Sequence, residues 1–409
     1  MGDVASILEP ELFVDGVLPD RTEYPGTPEE VAGLLRQSAE RDEGVFPIGS
    51  GLHQGVGLFP EPIDIGLSMG RLTSVLRYDP EDLVLSVEAG MTLADVQAVL
   101  AGHGQRLPVE APGGDGATIG GLLALGLNGP RQLGSPTLRD LLLGMTVALT
   151  DGTVAKSGGM VVKNVTGFDM GRLHVGARGT LGVITSANFK VLPRPETEAT
   201  VIAAFGDPAA GPSPAFAAFD RLRSSTLRPV AGDVVVEEGI TRLAVRFEGR
   251  GGAVERQIRA AAHLLGSGTE MIAAPNASRS WWERHVERLG FADSCQTVLR
   301  FDARPRAIAD RACQVAAGLG RQGIEKWRLV CSPGLGTLWL HLGSTDQEPV
   351  IGLVAGLSSL GGALTVLSGP PTLKGRLWSV AVGEPRPIDS ALRQQFDPNQ
   401  ILNRGRFPR

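Results

Sequence analysis

The sequence predicts an α+β chain built as two consecutive parts, and three observations carry that expectation. Glycines crowd two stretches, Ile48 to Gly57 and Ile119 to Pro193, at places where a side chain would block close backbone approach to a ligand. The texture changes after Pro195, where short strands alternate with amphipathic helices. Those later elements run in the order βαββαβ twice over, which predicts two ferredoxin-like halves joined in one antiparallel sheet with helices on one face. At 409 residues, two domains are the default expectation.

Composition narrows the function classes. The chain is 42% hydrophobic and 20% charged, within the globular range, with a formal net charge of -5. No basic footprint points to nucleic acid, and no apolar run reaches the length of a membrane span. The opening MGDVASILEPELFVDG has no basic n-region, so it does not read as a signal peptide; MGDVAS fits the short myristoylation pattern with nothing basic beside it. Cys295, Cys313 and Cys331 are widely spaced and form no CxxC pair or cluster-ligand pattern, so they read as small buried hydrophobes. The 55 glycines have no collagen-like period and read as turns and cofactor loops.

Residues 1–21 show no period and read as a lead-in. Thr27-Pro28-Glu29-Glu30 predicts a helix start, with Thr27 as cap, Pro28 at the first helical position and Glu30 closing a capping box; Val31, Leu34 and Leu35 supply its apolar face. Val45 to Ile48 predicts a strand running into Gly49-Ser50-Gly51-Leu52-His53-Gln54. The prolines and glycines after Gly55 argue against the helix a Rossmann site requires, and no GK[ST] follows. The loop therefore reads as a cradle whose amides hold a pyrophosphate without a helix behind them. Strands are predicted over residues 63–67, 75–78 and 83–89, the last with Leu83, Leu85 and Val87 on one face. Thr92 caps a second helix, with Asp95 at its third position. Residues 111–116 form a loop leading to Thr118 and a helix whose N-terminus would favour a phosphate. Asp151-Gly152 joins two alternating runs as a hairpin, and residues 182–191 form the last strand of this part, with Val183, Thr185, Ala187, Phe189 and Val191 on one face.

Four blocks, PIGSGLHQGVG, ATIGG, RDLLLGMTVALTDGTV and GFDMGRLHVGARGTLGVIT, occur in the order found in the vanillyl-alcohol oxidase/p-cresol methylhydroxylase (PCMH) superfamily, and residues 22–196 resemble its FAD-binding domain. Within that superfamily, GPRQLGSPTLRDLLLG and VVKNVTGFDMGRLHVGARGTLGV are most similar to the FAD-binding E subunit of bacterial glycolate oxidase. The closing FDPNQILNRGRF resembles the family's terminal segment, with Arg404 where proline is usual.

The resemblance implies a two-subdomain PCMH-type FAD-binding domain over 22–196 and a cap domain over 197–409 whose terminal segment returns to the first. It implies noncovalent FAD, with Gly49, Ser50, Gly51, Leu52, His53 and Gln54 at the pyrophosphate. Pro112, Gly113 and Thr118 would lie along the phosphates and ribitol, and Gly121, Ala124, Leu125, Gly126 and Leu127 along the flavin chain. Gly179, Thr180, Gly182, Val183 and Ile184 would offer backbone contacts to the ring and adenine regions. Many relatives carry Asn-Ala-Ser-Gly where this chain reads Gly126-Leu127-Asn128-Gly129, so their asparagine contact is absent or shifted here. His53 follows Leu52 where tethering relatives place histidine directly after the paired glycines, so no covalent bond is expected. His174 reads as structural. His341-Leu342-Gly343-Ser344-Thr345-Asp346 lacks the second histidine and the acid of the relatives' metal and substrate motif, so no metal is expected. Arg131, Arg328 and Arg376 are the arginines considered for a substrate carboxylate; no catalytic base can be named.

The function implied is that of an FAD-binding subunit of a glycolate oxidase-type complex. It would oxidise a small 2-hydroxy acid together with a catalytic flavin subunit and an iron–sulfur subunit, in the cytoplasm and peripheral to the inner membrane only through partners. A standalone FAD-dependent 2-hydroxy acid dehydrogenase and a non-catalytic FAD-binding scaffold are the alternatives.

Overall fold

The computed structural model describes residues 12–60, 62–160, 169–206, 211–266, 268–290, 297–324, 326–343, 347–358, 361–381 and 387–407. Cys295, residues 344–346 of the His341 motif, most of the lead-in, Glu61 and residues 161–168 lie outside them.

The first part holds two sheets. Strands β1 (Arg21–Glu23), β2 (Val45–Ile48) and β3 (Ile65–Ser68) form a parallel sheet in the order β1-β3-β2. Helix Pro28–Arg41 covers it, burying Val31, Ala32 and Leu35. Thr27 Oγ1 accepts the Glu30 N–H at 3.1 Å, as the sequence predicts, but the Glu30 carboxylate reaches one residue further back, to the Gly26 N–H at 2.7 Å. Strands β4 (Val75–Asp79) and β5 (Val84–Glu88) are followed by the short β6 (Gln105–Arg106). Then come β7 (Leu142–Ala148), β8 (Val154–Gly158), β9 (Val183–Lys190) and β10 (Leu192–Pro193). Five of these form an antiparallel sheet in the order β4-β5-β9-β7-β8.

Two expectations change here. Val84, Leu85, Ser86 and Val87 are all buried, and so are Val183 to Ala187, although the alternation predicted one apolar face for each strand. Both strands are internal and covered on both faces. Val183 packs with Val31 and Leu35 beneath the first helix, whereas Ile184, Ala187 and Phe189 join the core under helices Leu93–Ala101 and Ile119–Leu125. The register shift at Thr146/Val147 on the facing strand accompanies this exchange of faces. The Asp151-Gly152 hairpin forms as predicted, with Ala148 opposite Val154 and Gly152 at φ +89°.

The second part is one eight-stranded antiparallel sheet. Its strands are β11 (Thr197–Phe205), β12 (Ala231–Glu237), β13 (Ile240–Gly249), β14 (Thr269–Ile272), β15 (Thr297–Asp302), β16 (Trp327–Ser332), β17 (Thr337–Leu342) and β18 (Ala363–Ser368). The order β14-β11-β13-β12-β16-β17-β15-β18 consists of two four-stranded halves joined where β12 pairs with β16. Helices Ser213–Arg223, Gly251–Leu265, Pro305–Arg321 and Gln347–Ser358 lie on the outer face, over a core that includes Phe219, Phe247, Phe301 and Leu340. The connecting helix Pro275–Glu287 departs from the predicted one-sided arrangement. Its Trp282 is fully buried with Ile202, Ala231 and Ala244, whose side chains alternate with those of the outer core and so point to the opposite face.

That inner face meets the first part. Val56 and Leu127 pack with Val235, Val298, Val330, Trp339 and Leu367. Beside them lies a buried ion network: Arg246 pairs with Glu198 and Glu110 at 2.8 and 2.9 Å, Arg106 with Glu248 at 2.6 Å, and Arg131 with Glu248 and Glu110. Arg131, considered above for a substrate carboxylate, is thus taken up in holding the two parts together.

Candidate cofactor site

The cleft forms where β2 ends. Gly49 leaves the strand pressed against Thr118: a Cβ at Gly49 would lie 2.2 Å from Thr118 Oγ1, so only glycine lets the loop approach the helix start. Gly51 then turns at φ +77°. Among the described residues the N–H groups of Ser50, Gly51 and Leu52 donate to no protein acceptor, which fits a loop built to receive an anion. The chain continues without a helix, as the sequence predicts.

The helix behind Thr118 does not play the part expected of it. Its first amides are already used: Ile119 donates to the Met91 carbonyl at 2.9 Å, Gly120 to Ala89 at 2.8 Å and Gly121 to Thr118 Oγ1 at 3.3 Å. The residues around Ala89 and Met91 run close beside the helix start and consume donors that a phosphate would otherwise engage. Helix Ile119–Leu125 therefore shapes the wall, while the loop supplies the free amides.

The cleft opens to solvent and runs from the Gly49 loop to the wall at Gly179, Gly182, Val183 and Ile184. Of the residues singled out from the sequence, the whole Gly49-to-Gln54 loop, Thr118, Gly121, Ala124, Leu125, Gly179, Gly182, Val183 and Ile184 line it. The remaining five shape the wall from behind. The Pro112 carbonyl accepts from His53 Nε2 at 2.7 Å. Gly113, at φ +93°, lies so close to Gly290 that a Cβ on Gly290 would come within 2.2 Å of its Cα. Gly126 ends the helix at φ +63°, Leu127 joins the apolar contact with the cap sheet, and Thr180 Oγ1 donates to the Ala177 carbonyl at 2.7 Å. Asn128 turns its amide to the Gly126 carbonyl at 3.1 Å.

The carboxy-terminal segment completes the wall. Leu402 bridges to Val45, and the Asp397 carboxylate accepts the N–H groups of Ile401 and Leu402 at 3.1 and 2.9 Å. Asn403 lines the cleft and donates to the Arg178 and Gly179 carbonyls. Arg404, where relatives carry proline, clamps Asp42 at 2.6 Å. Arg406 binds the Gln54 and Val56 carbonyls, and Asp15 bridges Arg406 to Lys374. Asn403, Arg406 and Phe407 were visible in the sequence only as part of the terminal FDPNQILNRGRF run; Arg178, on the cleft wall beside Gly179, carried no signal of its own.

The histidines differ in role. Burial lowers His53, against the raising effect of the Pro112 carbonyl. His174 packs edge-on against Phe396, and burial lowers it to about 4. His341 faces Arg328 across β16 and β17, and burial, with Arg328, Arg288 and His285, lowers it to about 3. Arg328 itself is buried and donates to the Arg288 carbonyl at 3.0 Å, whereas Arg376 pairs at the surface with Glu348. Both His174 and His341 titrate below the ordinary value of 6.5 when folded, so the unfolded chain takes up their protons first. Their contribution is complete above about pH 6.5 and is lost as pH falls through 4 and 3. For His174 alone the loss by pH 4 is about 3 kcal/mol. Urea unfolding should therefore show a steep decline between pH 6.5 and 4 that His174→Phe reduces; an unchanged decline in that variant would exclude His174 as its source.

Residues 19–158 match the family model of the FAD binding domain. Glycolate oxidase subunit GlcE of Escherichia coli (strain K12) is 45% identical over 122 residues, 30% of this chain and 35% of that protein. Glycolate oxidase subunit GlcD of Bacillus subtilis (strain 168) is 31% identical over 188 residues, 46% of this chain and 40% of that protein. The aligned regions thus span well under half the length of these curated relatives. A solved alkyldihydroxyacetonephosphate synthase shares the fold, with a TM-score of 0.68 at 18% identity over 96% of this chain and 76% of that one. The match of residues 19–158 to the FAD binding domain model and the FAD-linked relatives agree with the three free amides of the loop: FAD is the cofactor of this chain.

Proposed function

We propose that this chain is an FAD-dependent oxidoreductase subunit of a glycolate oxidase-type assembly. In this reading it works on a small 2-hydroxy acid in the cytoplasm, together with a catalytic flavin subunit and an iron–sulfur subunit. The observation that carries the reading is the cleft itself, together with what faces it. The Gly49-to-Gln54 loop would receive the pyrophosphate, and Gly179 to Ile184 would offer backbone contacts along the rest of FAD. When bound, FAD supplies the acceptor for a hydride from the substrate. The cap sheet turns an apolar surface of Val235, Val298, Val330 and Trp339 towards Val56 and Leu127. Such an apolar surface holds the two parts together. The likeness to GlcE supports the same reading.

A purified chain assayed with glycolate and D-lactate and an artificial electron acceptor should turn over slowly or not at all. Robust turnover alone would replace this proposal with a standalone 2-hydroxy acid dehydrogenase. FAD is held noncovalently in this proposal, because His53 Nε2 is engaged with the Pro112 carbonyl. Acid precipitation should release the flavin to the supernatant, and His53→Ala should bind FAD within about tenfold of wild type, the loss of one neutral hydrogen bond or less. Flavin retained in the wild-type pellet and released from His53→Ala would show a covalent tether instead.

A further inference from the structure

Most cations near the two-part interface have a carboxylate. Arg246, Arg131 and Arg106 are locked to glutamates, Arg406 and Lys374 to Asp15, and Arg300 to Asp302 at 2.9 Å. Arg178 lines the cofactor cleft, and among the described residues no carboxylate lies within ion-pair distance of it. Its guanidinium sits over two rings, 5.2 Å from the centre of Phe407 and 6.0 Å from that of Trp378. Burial lowers its pKa first, and Arg393 and Arg300, charges of its own sign, lower it further. The backbone is held in the left-handed region at φ +57°, unusual for a residue other than glycine. Two bonds keep it there: its N–H donates to the Ala124 carbonyl at 2.7 Å, and its carbonyl accepts from Asn403 at 3.0 Å. A half-buried cation with, among the described residues, no carboxylate in ion-pair reach gains when an anion enters the cleft.

FAD offers two sources of negative charge, the pyrophosphate and the flavin ring once it is reduced. Position decides between them. The free amides lie beside Thr118, at the start of helix Ile119–Leu125, whereas Arg178 is attached at Ala124, near its end. Seven residues of helix separate these points by about 10 Å. The amides already serve the pyrophosphate end, and the surroundings of Arg178 are the rings of Phe407 and Trp378.

We propose that Arg178 faces the flavin ring of bound FAD and stabilises the negative charge that the ring carries when reduced. This assignment rests on the flavoprotein reading above. It makes Arg178 a determinant of how readily this chain accepts and holds electrons.

Sulfite tests it on the FAD-loaded chain without any turnover. Sulfite adds its lone pair to flavin N5, forming an N–S bond, and the displaced electron pair leaves a negative charge on the N1–C2 carbonyl side. No other oxidant or reductant takes part, and visible flavin absorbance bleaches. Wild type should form this adduct. In FAD-saturated Arg178→Gln the sulfite dissociation constant should rise at least about tenfold, the loss of one charge interaction, and by more than the FAD dissociation constant does. Arg178→Lys should recover most of that loss. If Arg178→Gln instead weakens FAD binding and leaves sulfite affinity unchanged, the guanidinium serves the phosphates and the proposal is overturned. An FAD-loaded wild type that forms no adduct overturns it too. A wild type that binds no FAD at all fails earlier, removing the flavoprotein reading itself and this assignment with it.

Discussion

Replacing Arg246 with methionine should destabilise the chain by about 3–5 kcal/mol, the range found when one member of a buried ion pair is removed. Arg246 is 1% exposed and touches three carboxylates: Glu198, Glu110 and Glu248. Methionine fills much of the same volume but leaves those carboxylates buried together. Glu248 would keep Arg106 and Arg131, and Glu110 would keep Arg131. Glu198 would retain only the half-exposed Arg279, at 3.8 Å, among the described residues. The cost therefore falls mainly on Glu198, and Arg246→Met with Glu198→Gln should be more stable than Arg246→Met alone. Arg36→Met, which removes an exposed ion pair with Glu40 at 4.0 Å, should cost less than about 1 kcal/mol. Equal losses in the two arginine variants by urea unfolding would refute the special weight given to the buried network.

The same network makes an acid limb. Burial alone would raise Glu248, but Arg131, followed by Arg106 and Arg246, outweighs it and holds the carboxyl below its ordinary value. A carboxylate whose folded value is depressed contributes fully above its unfolded value, near 4.5, and loses that contribution as pH falls through the folded value. Glu248→Gln should be less stable at neutral pH and show a shallower decline below about pH 4.5.

What could be read from the sequence divides along the range of the forces involved. Thr27, Thr92 and Asp151-Gly152 were legible because a cap or a tight turn is settled by neighbours a few residues away. The twofold βαββαβ order was legible for the same reason, since each element announces itself by its own period. The centrality of β5 and β9 was not, because it depends on a partner about a hundred residues distant in the chain. Nor was the inward side of helix Pro275–Glu287, which is set by the pocket that Ile202, Ala231 and Ala244 make for Trp282. At the cleft, the glycines were found by their composition. Arg178 sits among them and is distinguished only by what surrounds it in space: two rings, two like charges and, among the described residues, no carboxylate within ion-pair distance. The helix at Thr118 was misjudged because a helix start advertises free amides, whereas here the backbone at Ala89 and Met91 consumes them.

Gly49→Val should abolish useful FAD binding while leaving most of the fold intact. The position has no room: even the Cβ of alanine would lie 2.2 Å from Thr118 Oγ1 and about 3 Å from the rest of that side chain. Threonine is branched at Cβ and cannot swing clear without giving up its hydrogen bond from the Gly121 N–H, a cap whose loss costs about 1 kcal/mol. The cheaper response is for the loop to lift away, because it lines an open cleft and its neighbours Ser50, Gly51 and Leu52 carry unbonded amides. Lifting by even an ångström withdraws those amides from a bound pyrophosphate. Each charge-assisted hydrogen bond lost is worth about 1.5–3 kcal/mol, so two of them weaken binding by at least about a hundredfold. Gly49 lies just past Ile48, the last paired residue of β2, so a lifted loop leaves the parallel sheet's pairing in place, and circular dichroism and the melting midpoint of the cofactor-free variant should stay close to wild type. The decisive comparison is FAD fluorescence titration of Gly49→Val against Gly239→Val. Gly239 sits in the turn between β12 and β13, has open space around it and is not part of the cleft wall. Comparable FAD affinity in the two variants would remove the loop from the phosphate site and return that role to the opposite wall, between Gly179 and Ile184.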